Sequence, residues 1–268
     1  MKEKVLVEIC CGSLEDVVIA KKAGAHRVEL NSNMFLGGIT PSIGTIEEAK
    51  KLVNIPIMVM IRPRGAGFCY SEYEIKTMER DMKAAVKAGA DGIVFGALKE
   101  DGTLDVELCK RFMDIIGDRE AVFHRAFDVV KDPFKVLDTL VDLGVKRILT
   151  KGQKNTIEDG AELLKELMKC GKGKIEILPG GVRPHNVKWM IENMKFNQLH
   201  VASFTRRKDY STQCNPEVYF GSPLNPKELD YDIANYDYLR EMCDNIKIIT
   251  KANCIKQIKN NFKEVVSK

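Results

Sequence analysis

Short apolar runs rich in β-branched residues recur along the chain, separated by longer stretches whose apolar positions repeat at helical spacing. The runs 4–10 (KVLVEIC), 26–31 (HRVELN), 56–62 (PIMVMIR), 90–96 (ADGIVFG), 121–125 (AVFHR), 145–150 (VKRILT), 174–179 (KIEILP) and 197–202 (NQLHVA) predict strands. Between them the period lengthens. Over 72–88, Ile75, Met78, Met82 and Val86 fall at i, i+3, i+7 and i+11, and Ser71 with Glu74 offers a capping box to start that helix. Three helix–strand junctions, "AGAHRVEL", "AGADGIVF" and "LGVKRILT", are near-copies in which a glycine ends the helix just before an apolar strand. One supersecondary unit is therefore repeated.

Eight strand–helix units of about 30 residues each predict an α/β fold, a single-domain (β/α)8 TIM barrel. A doubly wound open sheet has the same local signals, but eight evenly spaced strands favour closure. The barrel is expected over 1–250, with a polar, proline-bearing loop at about 203–232 lying over its C-terminal mouth. Residues 251–268 read as a basic amphipathic helix with Ile255, Ile258, Phe262 and Val265 on one stripe, docked on the barrel rather than on a membrane or partner.

Composition narrows the function classes. The 268 residues carry a net charge of +4 from 42 basic and 38 acidic side chains spread along the chain, too diffuse for nucleic acid or an anionic membrane. No apolar run approaches the ~18 residues that span a bilayer, and the short apolar stretch before Glu8 is no signal peptide, so the cytoplasm is expected. Eight dispersed cysteines without a Cys-x-x-Cys pair read as free thiols of a reducing compartment rather than a structural zinc site. Symmetry statistics make a homodimer the expected assembly.

Chemistry should collect where the strands run out. Strand one carries Glu8 and Cys10 on one face, strand two Arg27, Glu29 and Asn31, and strand three Met58, Met60 and Arg62. Strand five supplies His124 and Arg125, followed by Asp128, and strand eight supplies His200. If Glu8, Glu29, Arg62 and His124 face inward, they share a polar pocket in which a carboxylate tunes His124 as an acid or base. The other reading is an internal ion-pair network that fills the barrel.

Two rim stretches suggest an anion. In "VMIRPRG", Arg62 and Arg64 flank Pro63 and would repel unless a carboxylate or an anionic ligand lies between them. In "EILPGGVRPHNV", Gly180 and Gly181 end the seventh strand, where barrels often bind phosphate on bare amides. Thr150, Lys151 and Gly152 in "LTKGQ" belong to the same rim. Soft donors lie nearby: Cys10, Cys11, Met58, Met60 and Cys69 near the first and third strand ends. Cys10 and Cys11 point to opposite faces of one strand, so Cys10 with Met60 is the feasible pair, against a role as small buried hydrophobes.

The segments "VEIC" with Ser13, "RVEL", "GGITPS", "VMIRPRG", "YSEYE", "DGIVFGAL", "FHRAFD", "VKRILTKGQ", "ILPGGVRPHNV" and "LHVAS" closely resemble the CutC family, in family order from about residue 5 to 203. The resemblance implies a cytoplasmic (β/α)8 barrel. The family name implies copper homeostasis, with Cu(I) held by two cysteines near the ends of strands one and two. The first matches Cys10; the second falls on Asn31, a hard donor and poor Cu(I) ligand. Two functions are thus expected. One is a Cu(I)-binding homeostasis protein using Cys10. The other is a lyase, isomerase or hydrolase acting on a small anionic metabolite, phosphorylated or not. There Glu8, Glu29, His124 and Asp128 do the chemistry, and Arg62, Arg64, Thr150, Lys151, Gly180 and Gly181 hold the anion.

Overall fold

Each apolar run becomes a short strand, because only an extended segment can bury side chains toward both a barrel interior and an outer helix layer. They are β1 (Leu6–Cys11), β2 (Arg27–Leu30), β3 (Ile57–Met60), β4 (Gly92–Phe95), β5 (Glu120–Phe123), β6 (Arg147–Thr150), β7 (Glu176–Pro179) and β8 (Gln198–Val201). The structure, a computed structural model, describes residues 5–266 except 195, 216 and 219–229; the side chains of 230 and 253–266 are also outside the described set. The strands pair in parallel in the order 7-6-5-4-3-2-1-8, which returns β7 to the side of β8 and all but closes the barrel.

Around the strands run α1 (Leu14–Ala23), α2 (Ile43–Leu52), α3 (Glu72–Lys87), α4 (Val106–Ile116), α5 (Pro133–Asp142), α6 (Ala161–Gly171) and α7 (Pro184–Trp189). Local chemistry sets their starts. Ser13, Ser42, Asp105 and Asp132 each accept a backbone N–H of the first turn, and Ser71 with Glu74 forms the expected capping box. The helices bury their apolar stripes against the outer face of the strands, as Met78 and Met82 of α3 do.

The barrel interior is layered. At its N-terminal end, Arg147 donates to Glu120 (3.1 Å), Glu176 (2.8 Å) and Gln198 (3.0 Å), while Gln198 also accepts from Arg27 (3.0 Å). Gln198 in turn donates to Glu176 at 3.1 Å. These bonds cross the β7–β8 seam, where no ladder forms among the described residues. Above this girdle, Met58, Met60, Val94 and Val122 form an apolar plug. On that side of the barrel the base and the C-terminal mouth are separated by apolar side chains, while Arg27 and Glu8 link Gln198 at the base to His200 at the mouth.

The 203–232 segment departs from the expectation of a loop. Its ends pair as an antiparallel ribbon of β9 (Phe204–Lys208) and β10 (Asp230–Ala234). The partners lie more than twenty residues apart, so local pattern could not reveal the pairing; most of what lies between, 219–229, is outside the described residues. Asp16 anchors the ribbon: one carboxylate oxygen accepts from Ala234 N at 2.6 Å and the other from Gly12 N at 2.9 Å. α8 (Tyr236–Val266) then runs back along α1, burying Leu239, Met242, Cys243 and Ile246. The stretch read as a separate tail helix from 251 is the continuation of α8; the stripe Ile255, Ile258, Phe262 and Val265 lies outside the described side chains. No helix among the described residues is long and apolar enough to cross a membrane.

Candidate functional site

Strand register decides which inward side chains meet. Cys10 lies beside Glu29, and Glu8 lies between Arg27 on one side and His200 on the other. Above the apolar plug this arrangement leaves a cavity of about 380 Å³ at the C-terminal mouth. Cys10, Glu29, Asn31, Met34, Met60 and His200 line one wall, and Arg125, Lys151, Gly180, Gly181 and Arg183 line the other. Arg62, Phe68 and His124 join them.

The first wall is a buried acid–sulfur–imidazole cluster. Ligand atoms of Cys10, Glu29 and His200 all lie within 4.8 Å of one another. The Cys10 thiol donates to Glu29 Oε2 at 3.6 Å, and its sulfur stands 4.0 Å from the thioether of Met34. Met34 belongs to a short 3₁₀ turn, Met34–Leu36, after β2 and reaches over the cluster because Gly12 has no side chain; a Cβ there would sit 2.7 Å from Met34 Cγ. Asn31 donates to Glu29 Oε2 at 3.0 Å and to the Cys10 sulfur at 3.5 Å, while Glu29 Oε1 and Asn31 Oδ1 stay unpartnered.

Burial and charge set the protonation of this wall. Burial pushes the Cys10 thiol well up, and the neighbouring Glu29 charge pushes it further. Burial also raises Glu29, against the pull of His200. Glu8 goes the other way: burial opposes its charge, but the Arg27 guanidinium and the His200 hydrogen bond bring it down to about 2. Burial would lower His200, yet Glu29 and Glu8 raise it. The result is an ionised Glu8 holding a His200 whose cation both acids favour, beside a Glu29 and a Cys10 that burial shifts toward their protonated forms.

The second wall is cationic. Lys151 is held below its usual range by burial and by the adjacent Arg125 and Arg183. Arg125 is tied by its Nε to Asp128 Oδ2 at 2.7 Å. Gly181 has φ +82°, and a Cβ on it would come within 3.1 Å of Lys151 Cε, so the lysine stem lies across bare backbone.

The mouth gathers Cys10, Glu29, Arg62, His124, Lys151, Gly180 and Gly181 of the residues expected from sequence. Others are placed differently. Glu8 sits beneath the cavity and orients His200 through Nδ1 at 2.8 Å. The carboxylates expected to tune His124 contact His200 instead, because β2, β1 and β8 are neighbours while β5 stands across the barrel. His124 accepts the Ala126 N–H on Nδ1, and burial followed by the Arg62 charge lowers it to about 3, so it is neutral.

Asp128 is used up as a clamp. It accepts from Thr150 Oγ1 at 2.5 Å and from the amides of Lys151 and Gln153, holding the loop after β6. Thr150 is thereby buried below the rim. Arg64 turns away from the mouth, pairing with Glu74 and with the carbonyls of Gly65, Gly67 and Cys69. Arg62 is capped by the carbonyls of Leu36, Gly38 and Ala66 rather than by a carboxylate, with its Nε left over. Each guanidinium is thus held by backbone oxygens, and that of Arg64 by Glu74 as well.

Met34 and Arg183 were not singled out from sequence. Both lie in rim loops, where periodicity is silent; the one available signal for Arg183 was its position two residues past Gly181.

Known proteins are consistent with this barrel and mouth. The CutC family model matches residues 5–205. The chain belongs to the CutC family. It is 48% identical over 241 residues to a family protein CutC of Treponema denticola, covering 90% of this chain and 98% of that one. It is 40% identical over 238 residues to the human copper homeostasis protein cutC homolog, covering 88% and 87%. A crystal structure from Streptococcus agalactiae, described as that of a copper homeostasis protein CutC, superposes with a TM-score of 0.70 at 36% identity, covering 73% of this chain and 97% of that one. Within this CutC chain the second cysteine position expected from the family is Asn31, which here hydrogen-bonds the two neighbours that carry the cluster.

Proposed function

We propose that this CutC chain takes up Cu(I) as a cargo ion at the mouth of its barrel, as part of copper homeostasis in the cytoplasm. The observation that carries the reading is the buried cluster of Cys10, Glu29 and His200, with the half-buried Met34 thioether 4.0 Å from the Cys10 sulfur. Thiolate, thioether and imidazole are the donors that favour Cu(I). Met34 supplies the second sulfur that Asn31 does not. A thiol must lose its proton to bind metal, and it is the charge of the arriving ion that would favour the thiolate here, against the burial and the Glu29 carboxylate that hold Cys10 protonated without it. The unpaired state of the seven cysteines whose side chains are described suits a reducing compartment.

The test is anaerobic Cu(I) titration against a competing chromogenic chelator. The expected result is one ion per chain, with binding lost in Cys10→Ser and weakened in Met34→Leu. Equal uptake by Cys10→Ser and the unaltered protein would overturn the reading.

A further inference from the structure

The copper reading uses only one wall of the cavity. A single ion leaves most of about 380 Å³ unfilled, a volume in the range of small-molecule sites. Of the charged side chains lining it, four are cationic (Arg62, Arg125, Lys151 and Arg183) and only Glu29 is a carboxylate; His200 belongs to the copper wall. Arg125, Lys151 and Arg183 come from the loops after three successive strands, β5, β6 and β7, and repel one another at the rim. Among the described residues, two buried nitrogens in the same cavity have no hydrogen-bond partner, Arg62 Nε and His124 Nε2, although the Tyr70 hydroxyl interacts with the Arg62 guanidinium. His124 is 3% exposed and accepts a backbone N–H on Nδ1, so its Nε2 carries the hydrogen and can only donate. Unpaired buried donors are rare and costly, so they point to an acceptor that arrives from outside.

We infer that this half of the mouth binds a small phosphate monoester, its phosphate among Arg125, Lys151 and Arg183. Three separate cations on one rim of the cavity match a dianion better than a single carboxylate does. The organic part lies inward against Phe68, Met60 and Leu149, where His124 Nε2–H and Arg62 Nε meet its oxygen atoms. The site is independent of copper: none of its phosphate-holding residues belongs to the sulfur cluster.

Calorimetric titration of chelator-treated protein with glycerol 3-phosphate, against glycerol and potassium chloride at matched ionic strength, tests it. Saturable binding of one glycerol 3-phosphate per chain is expected. Lys151→Met and Arg183→Gln should each weaken it about tenfold or more. Arg183 is exposed, so its variant keeps the fold, which circular dichroism melting verifies. Lys110→Met, on the outer surface of α4, and Cys10→Ser should bind normally, and the latter separates this site from copper. Absence of saturable binding, unchanged binding in both rim variants, or inorganic phosphate binding as tightly as the monoester would overturn the assignment.

Discussion

His200 stands between two buried carboxylates, its Nδ1 2.8 Å from Glu8 and its Nε2 3.9 Å from Glu29. The arrangement places one imidazole under the control of two acids with opposite behaviour, Glu8 held ionised and Glu29 pushed toward its neutral form.

In the metal-free protein His200 should titrate above the ordinary histidine value of 6.5, because both acids favour its cation. A raised folded-state pKa contributes stability below 6.5 and loses it as pH rises through the folded value. His200→Gln should therefore cost more stability at pH 6 than at pH 9. Urea denaturation at the two values checks this; an equal cost at both would contradict the pairing.

His124 has the opposite sign. Its folded-state value is about 3, so its contribution is complete above pH 6.5 and declines as pH falls from 6.5 toward 3, by about 1.4 kcal/mol per unit. His124→Asn, which can still accept the Ala126 amide, should be less acid-sensitive than the unaltered protein. Denaturation curves at pH 7 and pH 4.5 give the comparison, and parallel losses in both proteins would refute it.

Arg147 is 2% exposed and joins Glu120, Glu176 and Gln198 across the seam. Arg147→Ala should destabilise the barrel by about 3 kcal/mol, the lower end for a broken buried pair, since both glutamates reach water. The melting temperature should fall while Cu(I) stoichiometry in the folded protein stays the same. A change in stoichiometry would show that the base and the mouth are coupled.

Asn31 is 3.5 Å from the Cys10 sulfur. Asn31→Cys adds a soft donor beside Cys10 and should tighten Cu(I) binding roughly tenfold or more in the chelator competition. Unchanged affinity would mean that the cargo ion does not sit at Cys10.

Much of the fold was legible in the chain. The eight apolar runs coincide with the eight barrel strands because a short apolar run between polar turns, buried on both faces, is a local property. The alternation that put Cys10, Glu29, Arg62 and His124 on inward faces was legible for the same reason. The ribbon of β9 and β10 was not, since its pairing depends on residues far apart meeting over Asp16.

By itself, the sequence determined the strands, their inward faces, the family and the presence of cations and sulfur near the strand ends. Tertiary structure alone decided the pairings: Glu8 and Glu29 with His200 rather than His124, Arg64 with Glu74, Asp128 with its loop amides, and Met34 over Cys10. The physical reason is that period fixes a side chain's direction along its own strand, whereas its partner depends on strand order around the barrel and on the path of the rim loops. Neither is written in any one segment.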